Sequence, residues 1–301
     1  MRAVVFAYHN VGVRCLQVLL AGGVDVALVV THCDNPDEKI WFESVATLCS
    51  EKNIPFVTPD DPTDHTLFEQ ISAISPQFIF SFYYRHMLPV SLLALASVGA
   101  FNMHGSLLPK YRGRVPINWA VLHGEATTGA TLHEMVAKPD AGSIVAQTAV
   151  PILPDDTAYE VFGKVVVAAE VTLWKVLPEM LAGRTPHLPN NVAEGSYFGG
   201  RKPADGCIDW QQPAQNIYNL HRAVAPPYPG AWTVLGDATY VIERARLSQR
   251  SFANLEPGLA VVDNAIFGIG NDGRALAISS LLRNGETVSA SALQQQLRLH
   301  S

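Results

Sequence analysis

Asn102 and His104 stand two residues apart, directly after the apolar segment Val98-Gly99-Ala100-Phe101. In a β-strand, residues i and i+2 point to the same face, so a carboxamide and an imidazole emerge together at a strand end. A carboxamide can donate a hydrogen bond to a developing oxyanion, and an imidazole can move a proton near pH 7. The run Ser106-Leu107-Leu108-Pro109 and then Arg112-Gly113-Arg114 follows. Its proline and glycine predict a tight loop that walls a pocket. The chemistry expected of this set is acyl transfer. Ser106 has no base partner of its own apart from His104, so a nucleophilic serine is disfavoured.

The elements that must position the pair alternate between two periodicities. Strand patterns fall at 3–8, 24–31, 54–58, 78–82 and 100–103, and helical patterns at 11–20, 44–52, 67–74 and 90–95. This alternation predicts an α/β class fold, a Rossmann-like, doubly wound and mostly parallel sheet. In such sheets ligands sit beyond the carboxyl ends of the strands, where Asn102 and His104 fall. A helix is expected from Pro116 to about 122, strands at 131–136 and 144–152, and a long helix at 158–181 capped by Asp156. Residues 185–203 are rich in Pro, Gly and Asn with little periodicity and read as a linker. Beyond them come one helix at 214–224 and short β-like segments at 239–246, 258–262, 265–268 and 275–279. These predict a smaller C-terminal β-rich domain, an OB-like barrel. The expected division is 1–188 for the catalytic domain, 189–203 for the linker and 204–301 for the C-terminal domain.

Composition narrows the class. The 301 residues are 48% hydrophobic and 16% charged, which suits a folded globular chain. The net charge of −6 argues against a nucleic-acid partner. No apolar run approaches the roughly 20 residues that span a bilayer, and the first strand begins at once, without a signal-peptide core. A cytoplasmic protein without membrane contact is the expectation. The four cysteines (Cys15, Cys33, Cys49, Cys207) are widely spaced and read as reduced thiols. Trp119, Trp174 and Trp232 read as core residues. His9 is expected to line the cleft. The other histidines outside the pair (His32, His65, His123, His133, His187, His221, His300) show no metal-ligand spacing and read as structural or exposed. His86 and Tyr84 sit at a strand end. Gly12 forms no G-x-G-x-x-G fingerprint, which disfavours a nicotinamide cofactor.

Asn102, His104, Ser106-Leu107-Leu108-Pro109, Gly113 and the later Asp140-x-Gly142-x-Ile144, in that order, resemble the signature of the folate-dependent formyltransferases. Within that family the likeness is closest to the members that formylate UDP-4-amino-4-deoxy-L-arabinose. It is carried by Phe6-Ala7-Tyr8-His9, Thr31-His32-x-Asp34-Asn35-Pro36, Phe80-Ser81-Phe82-Tyr83-Tyr84-Arg85-His86 and the stretch from His104 to Arg114. Asp209-Trp210, Arg222-Ala223-Val224 and Pro229-Gly230-Ala231 fit the family's second domain. The resemblance implies 10-formyltetrahydrofolate as cosubstrate, with no metal. His104 is then the proton-transfer group, Asn102 the oxyanion donor, and Asp140 the carboxylate that orients and charges His104. It places folate contacts at His86, Met87, Leu88 and Arg114, and along Val136, Ala137, Lys138, Pro139 and Asp140.

For the acceptor, the turn Tyr8-His9-Asn10-Val11-Gly12 lacks the glycine-rich phosphate loop of glycinamide ribonucleotide transformylases. The connection at 34–39 is short and acidic, unlike the longer basic insertion of methionyl-tRNA formyltransferases. A nucleotide-linked amino sugar is therefore expected, in the pathway of lipid A modification and polymyxin resistance. Another nucleotide amino sugar or methionyl-tRNA is the alternative. The members most resembled are fused to a decarboxylase, whereas this sequence ends at Ser301. A free-standing enzyme, an excised domain and association with a separate decarboxylase stay open, as does oligomeric state.

Overall fold

The computed structural model describes residues 1–38 and 40–300, so Lys39 of the acidic connection and Ser301 lie outside the described residues. The chain forms two compact units. One comprises residues 1–116, 127–151 and 163–199; the other comprises 117–126, 152–162 and 200–301. The chain thus leaves and re-enters the first unit twice.

The first unit is built on a seven-stranded sheet. In chain order its strands are β1 (Arg2–Ala7), β2 (Asp25–Val30), β3 (Phe56–Val57), β4 (Phe78–Phe82) and β5 (Gly99–His104). A two-residue strand β6 (Arg112–Gly113) lies outside this sheet, which then takes in β7 (Thr127–Glu134) and β8 (Ile144–Pro151). The spatial order is β3-β2-β1-β4-β5-β7-β8. The first five are parallel, and β7 and β8 run antiparallel at one edge. The strand order reverses at β1, which is where open α/β sheets leave a crevice for ligands.

Helices α1 (His9–Ala21), α2 (Val45–Lys52), α3 (His65–Ile74) and α4 (Val90–Leu93) connect the parallel strands. Every residue of β1 from Ala3 to Ala7 is fully buried, as a strand covered on both faces demands. On one face Val4 and Phe6 pack with Leu28, Val30 and Ile79, against Leu67 and Ile71 of α3 and Leu92 of α4. Ser44 caps α2 by accepting from the Thr47 amide at 3.2 Å, and Asn53 ends it at φ 54°.

Two helices cross the division between units: α5 (Pro116–Leu122) and α6 (Ala158–Leu181). The cap of α6 differs from expectation. The Asp156 carboxylate accepts from the Leu153 amide, while Glu160 accepts from the Thr157 amide at 2.8 Å, the acidic half of a capping box. Trp174 is also a correction. Val165, Ala169, Leu173, Val176 and Met180 form the buried stripe of α6, and Trp174 falls off it and is 55% exposed.

The segment read as a linker contains β9 (Tyr197–Phe198), which pairs in parallel with β6. The second unit holds α7 (Ala214–Val224) and an antiparallel sheet. Its strands are β10 (Ala231–Leu235), β11 (Ala238–Ser251), β12 (Gly258–Val262), β13 (Ala265–Ile269), β14 (Arg274–Arg283) and β15 (Glu286–Thr287), before a final helix α8 (Ala290–His300). The order β10-β11-β14-β13-β12, with register shifts along β11, curls it into a half-barrel. The expected mostly parallel domain followed by a β-rich domain is what is found.

Candidate active site

Asn102 and His104 lie on one face of β5, as the i, i+2 spacing requires. On the neighbouring antiparallel strand β7, His133 stands directly opposite Asn102. The loop 135–143 leaves β7 level with the start of β5, where the Met135 amide donates to the Ala100 carbonyl at 2.8 Å. It then folds back so that Asp140 meets both imidazoles.

The resulting cluster is closed and buried. His104 is 6% exposed, and its Nε2 lies 2.8 Å from the Tyr111 carbonyl oxygen. A carbonyl can only accept, so Nε2 carries a proton and Nδ1 holds the lone pair of the neutral ring. Nδ1 lies 3.6 Å from Asp140 Oδ1. Burial lowers the pKa of His104; attraction to Asp140 and the bond to Tyr111 oppose this, and His133 and Arg112 reinforce it. The resting imidazole is therefore neutral, and a proton accepted at Nδ1 would sit against a carboxylate.

Asp140 is ionised. Burial works against its charge, yet His104, His133 and the Gly113 amide outweigh it and hold the carboxyl well below the usual range. The Gly113 amide donates to Oδ2 at 2.8 Å, and His133 Nε2 is 3.4 Å from Oδ1. Asp140 takes φ 50°, a left-handed conformation that Asp tolerates in turns. Gly113 has φ 94°, and a Cβ there would lie 2.2 Å from the Phe198 carbonyl oxygen, so only glycine fits.

His133, read from sequence as structural or exposed, packs inside the site. It is 1% exposed, Nδ1 donates to the Glu134 carbonyl at 2.7 Å, and Nε2 is 3.1 Å from Asn102 Nδ2. This contact fixes the Asn102 carboxamide. No local motif marks this histidine. Its role depends on a strand pairing that joins residues 31 positions apart.

The other expected site residues lie outside this hydrogen-bonded cluster. His86 is exposed and its ring is 5.1 Å from that of His32. Met87 is 64% exposed, whereas the Leu88 side chain is buried in the core beside Leu92, leaving its backbone for contact. The Arg114 side chain is exposed, and its amide donates to the Phe198 carbonyl at 2.9 Å. Val136, Ala137 and Lys138 form an exposed stretch of the Asp140 loop, with Pro139 partly buried.

A second cluster occupies the carboxyl ends of β1, β2 and β4, at the reversal of strand order. His9 stacks on Phe42 at 3.9 Å and meets Trp41 edge-on at 4.7 Å. Arg85 pairs both terminal guanidinium nitrogens with Glu38 at 2.7 Å and lies over the Tyr8 ring at 4.7 Å. Tyr8 Oη donates to Asp34 at 2.7 Å. Burial and Arg85 lower His9 to about 3, so it is neutral at pH 7. Among the described residues, no group of three or more His, Cys, Asp or Glu side chains is placed to hold a metal ion, and no helix is long and apolar enough to cross a membrane.

A doubly wound sheet carrying a buried imidazole–carboxylate pair beside a fixed carboxamide is the equipment of an α/β group-transfer enzyme. Residues 1–177 match the formyl transferase family, and residues 201–298 match the formyl transferase C-terminal domain. The chain belongs to this family and is a formyltransferase. Among solved structures it is similar to WlaRD, a sugar 3N-formyl transferase crystallised with dTDP and 5-N-formyl-THF. The TM-score is 0.74 at 20% identity, covering 95% of this chain and 98% of the other. The N-formyltransferase of Helicobacter canadensis, in complex with folinic acid and dTDP-3-aminofucose, gives 0.70 at 19% identity, covering 92% and 98%. HypX from Aquifex aeolicus, in complex with tetrahydrofolic acid, gives 0.66 at 17% identity, covering 99% of this chain and 48% of the other. At these identities the likeness is one of fold.

Proposed function

We propose that the protein transfers the formyl group of 10-formyltetrahydrofolate to the 4-amino group of UDP-4-amino-4-deoxy-L-arabinose, Asn102, His104 and Asp140 being the catalytic residues. The carrying observation is the neutral, buried His104 with its free Nδ1 beside the ionised Asp140, on the face that bears Asn102. The acceptor amine attacks the formyl carbon, giving a tetrahedral oxyanion and an ammonium. His104 Nδ1 takes the ammonium proton, stabilised there by Asp140, and returns a proton to N10 as the C–N10 bond breaks and tetrahydrofolate leaves. Asn102 has one amide hydrogen directed at His133; the other serves the oxyanion, a contact worth about 10²–10³ in rate in other acyl-transfer sites. His86, Met87, Leu88, Arg114 and residues 136–140 are assigned to the folate.

Two lines support a nucleotide-linked amino sugar as the acceptor. Two similar folds are described with dTDP or a dTDP-amino sugar, and this chain gathers the rings of Tyr8, His9, Trp41 and Phe42 at the sheet's switch point, chemistry suited to a base. The choice of 4-aminoarabinose, with lipid A modification as the pathway, rests on the resemblance of the Phe6–His9, Thr31–Pro36 and Phe80–His86 stretches. An acceptor panel tests it: tetrahydrofolate release is followed with UDP-4-amino-4-deoxy-L-arabinose, dTDP-amino sugars, methionyl-tRNA and no acceptor. Turnover with methionyl-tRNA alone would sink the acceptor assignment, and equal turnover without acceptor would make the enzyme a hydrolase.

A further inference from the structure

The chain leaving α6 runs past both sides of the His104–Asp140 pair. Leu188 bridges to Ile144, exchanging amide–carbonyl bonds of 2.9 and 2.8 Å at the foot of the Asp140 loop. Two residues on, the Asn190 side chain donates from Nδ2 to the Asp140 carbonyl at 3.1 Å and to the Gly142 carbonyl at 2.9 Å. One amide thus ties both ends of the turn whose left-handed residue carries the carboxylate. Farther along, Ser196 Oγ accepts from the Tyr111 amide at 2.8 Å, and Phe198 accepts from Arg114. Residues 111–113 supply the carbonyl that holds His104 and the amide that holds Asp140.

Within this segment, Asn190 bears on the acid directly. Its Oδ1 is buried without a hydrogen-bond partner. The donors explain its presence. We propose that Asn190 is a positioning residue of the formyl transfer, holding the 140–142 turn so that Asp140 faces His104 Nδ1. The assignment rests on the formyl-transfer reading above.

Asn190→Leu keeps the shape and removes the donors, and the exposed neighbour variant Asn191→Ala serves as control. A misplacement on the order of 1 Å can lower turnover roughly a hundredfold. The expected result for Asn190→Leu is a tenfold to hundredfold fall in kcat, with KM for both substrates within threefold of the parent (on the order set by such misplacements). His104 is faced by Asp140 from the loop, His133 from β7 and Arg112 from β6. Of these only Asp140 moves, so weaker attraction lets His104 lose its proton more readily. The acid limb of the kcat/KM profile shifts to lower pH, as does the His104 midpoint in [15N]histidine NMR, assigned with His104→Gln. Parental kcat, or a loss of kcat with an unmoved His104 midpoint, overturns the proposal. Failure of the unsubstituted enzyme to turn over any acceptor overturns the formyl-transfer reading instead, and the NMR midpoint still decides the role of Asn190.

Discussion

Gly142→Ala offers a geometric test of how closely the acid is placed. A Cβ built on Gly142 lies 2.2 Å from the Glu134 carbonyl oxygen, 2.8 Å from its carbonyl carbon and 3.1 Å from its Cβ, against ordinary contacts that begin at 3.4 Å. The closest two atoms are backbone, so no rotamer relieves the clash. Glu134 is held in β7, whose pairing with β5 is continuous there, and the loop is the part that yields. A displacement of about 1 Å at Gly142 acts two residues from Asp140. It stretches the 2.8 Å bond from the Gly113 amide and the bonds from Asn190 beyond useful length. Losing one or two such buried bonds lowers stability on the order of 2–4 kcal/mol. Misplacing the carboxylate by that distance lowers kcat on the order of a hundredfold. Steady-state kinetics with saturating acceptor, beside urea unfolding, separates the two effects. The matched control is Gly163→Ala on an exposed part of α6, where a Cβ meets nothing within 4 Å. It should stabilise by roughly 0.5–1 kcal/mol without changing kcat. Should Gly142→Ala keep kcat within threefold and unfold at the parental midpoint, the argument from close approach is wrong.

Other perturbations follow from burial and charge. Because the Asp140 carboxyl is held below its unfolded value, its stabilisation is full above about pH 4 and fades as pH falls further. Asp140→Asn should cost about 1.5–3 kcal/mol at pH 7, and its calorimetric stability should fall less steeply than the parent's below pH 4. His221 is 3% exposed, and burial, aided by Arg222, lowers it to about 4, so the unfolded chain binds its proton first on acidification. The loss between about pH 6.5 and 4 reaches roughly 3 kcal/mol, and His221→Gln should remove most of it in urea titrations at pH 7 and 4.5. Alkylation of the native protein should label Cys33 and Cys207, which are exposed. The buried Cys15 and Cys49 should react only after unfolding, as peptide mass spectrometry will show.

The parallel half of the fold was legible because strands buried on both faces read as unbroken apolar runs, that of residues 3–7 being the plainest. Asn102 and His104 were legible because their relation is local, two residues along one strand. Asp140 came only through resemblance, since nothing in Pro139-Asp140 distinguishes an ordinary turn carboxylate from one that faces two imidazoles. His133 escaped because its neighbours are set by cross-strand register. The Tyr111 carbonyl and Gly113 amide are backbone groups that carry no side-chain signature. Asn190 and β9 escaped for another reason: a two-residue strand in a segment rich in Pro, Gly and Asn has no periodicity to detect.

The parallel pairing of Arg112 with Tyr197 and Gly113 with Phe198 bears on where the first compact unit of this chain can be cut. The match to the family's first portion stops at residue 177, and composition alone suggests a boundary near 188. A chain trimmed at either point retains all seven strands of the sheet, with Asn102, His104 and Asp140 present. It lacks the strip that seats the 111–113 backbone and the 140–142 turn. Such a fragment is a scaffold with loose parts. A minimal functional unit, or a graft of this site onto a relative, has to carry the sequence through Phe198.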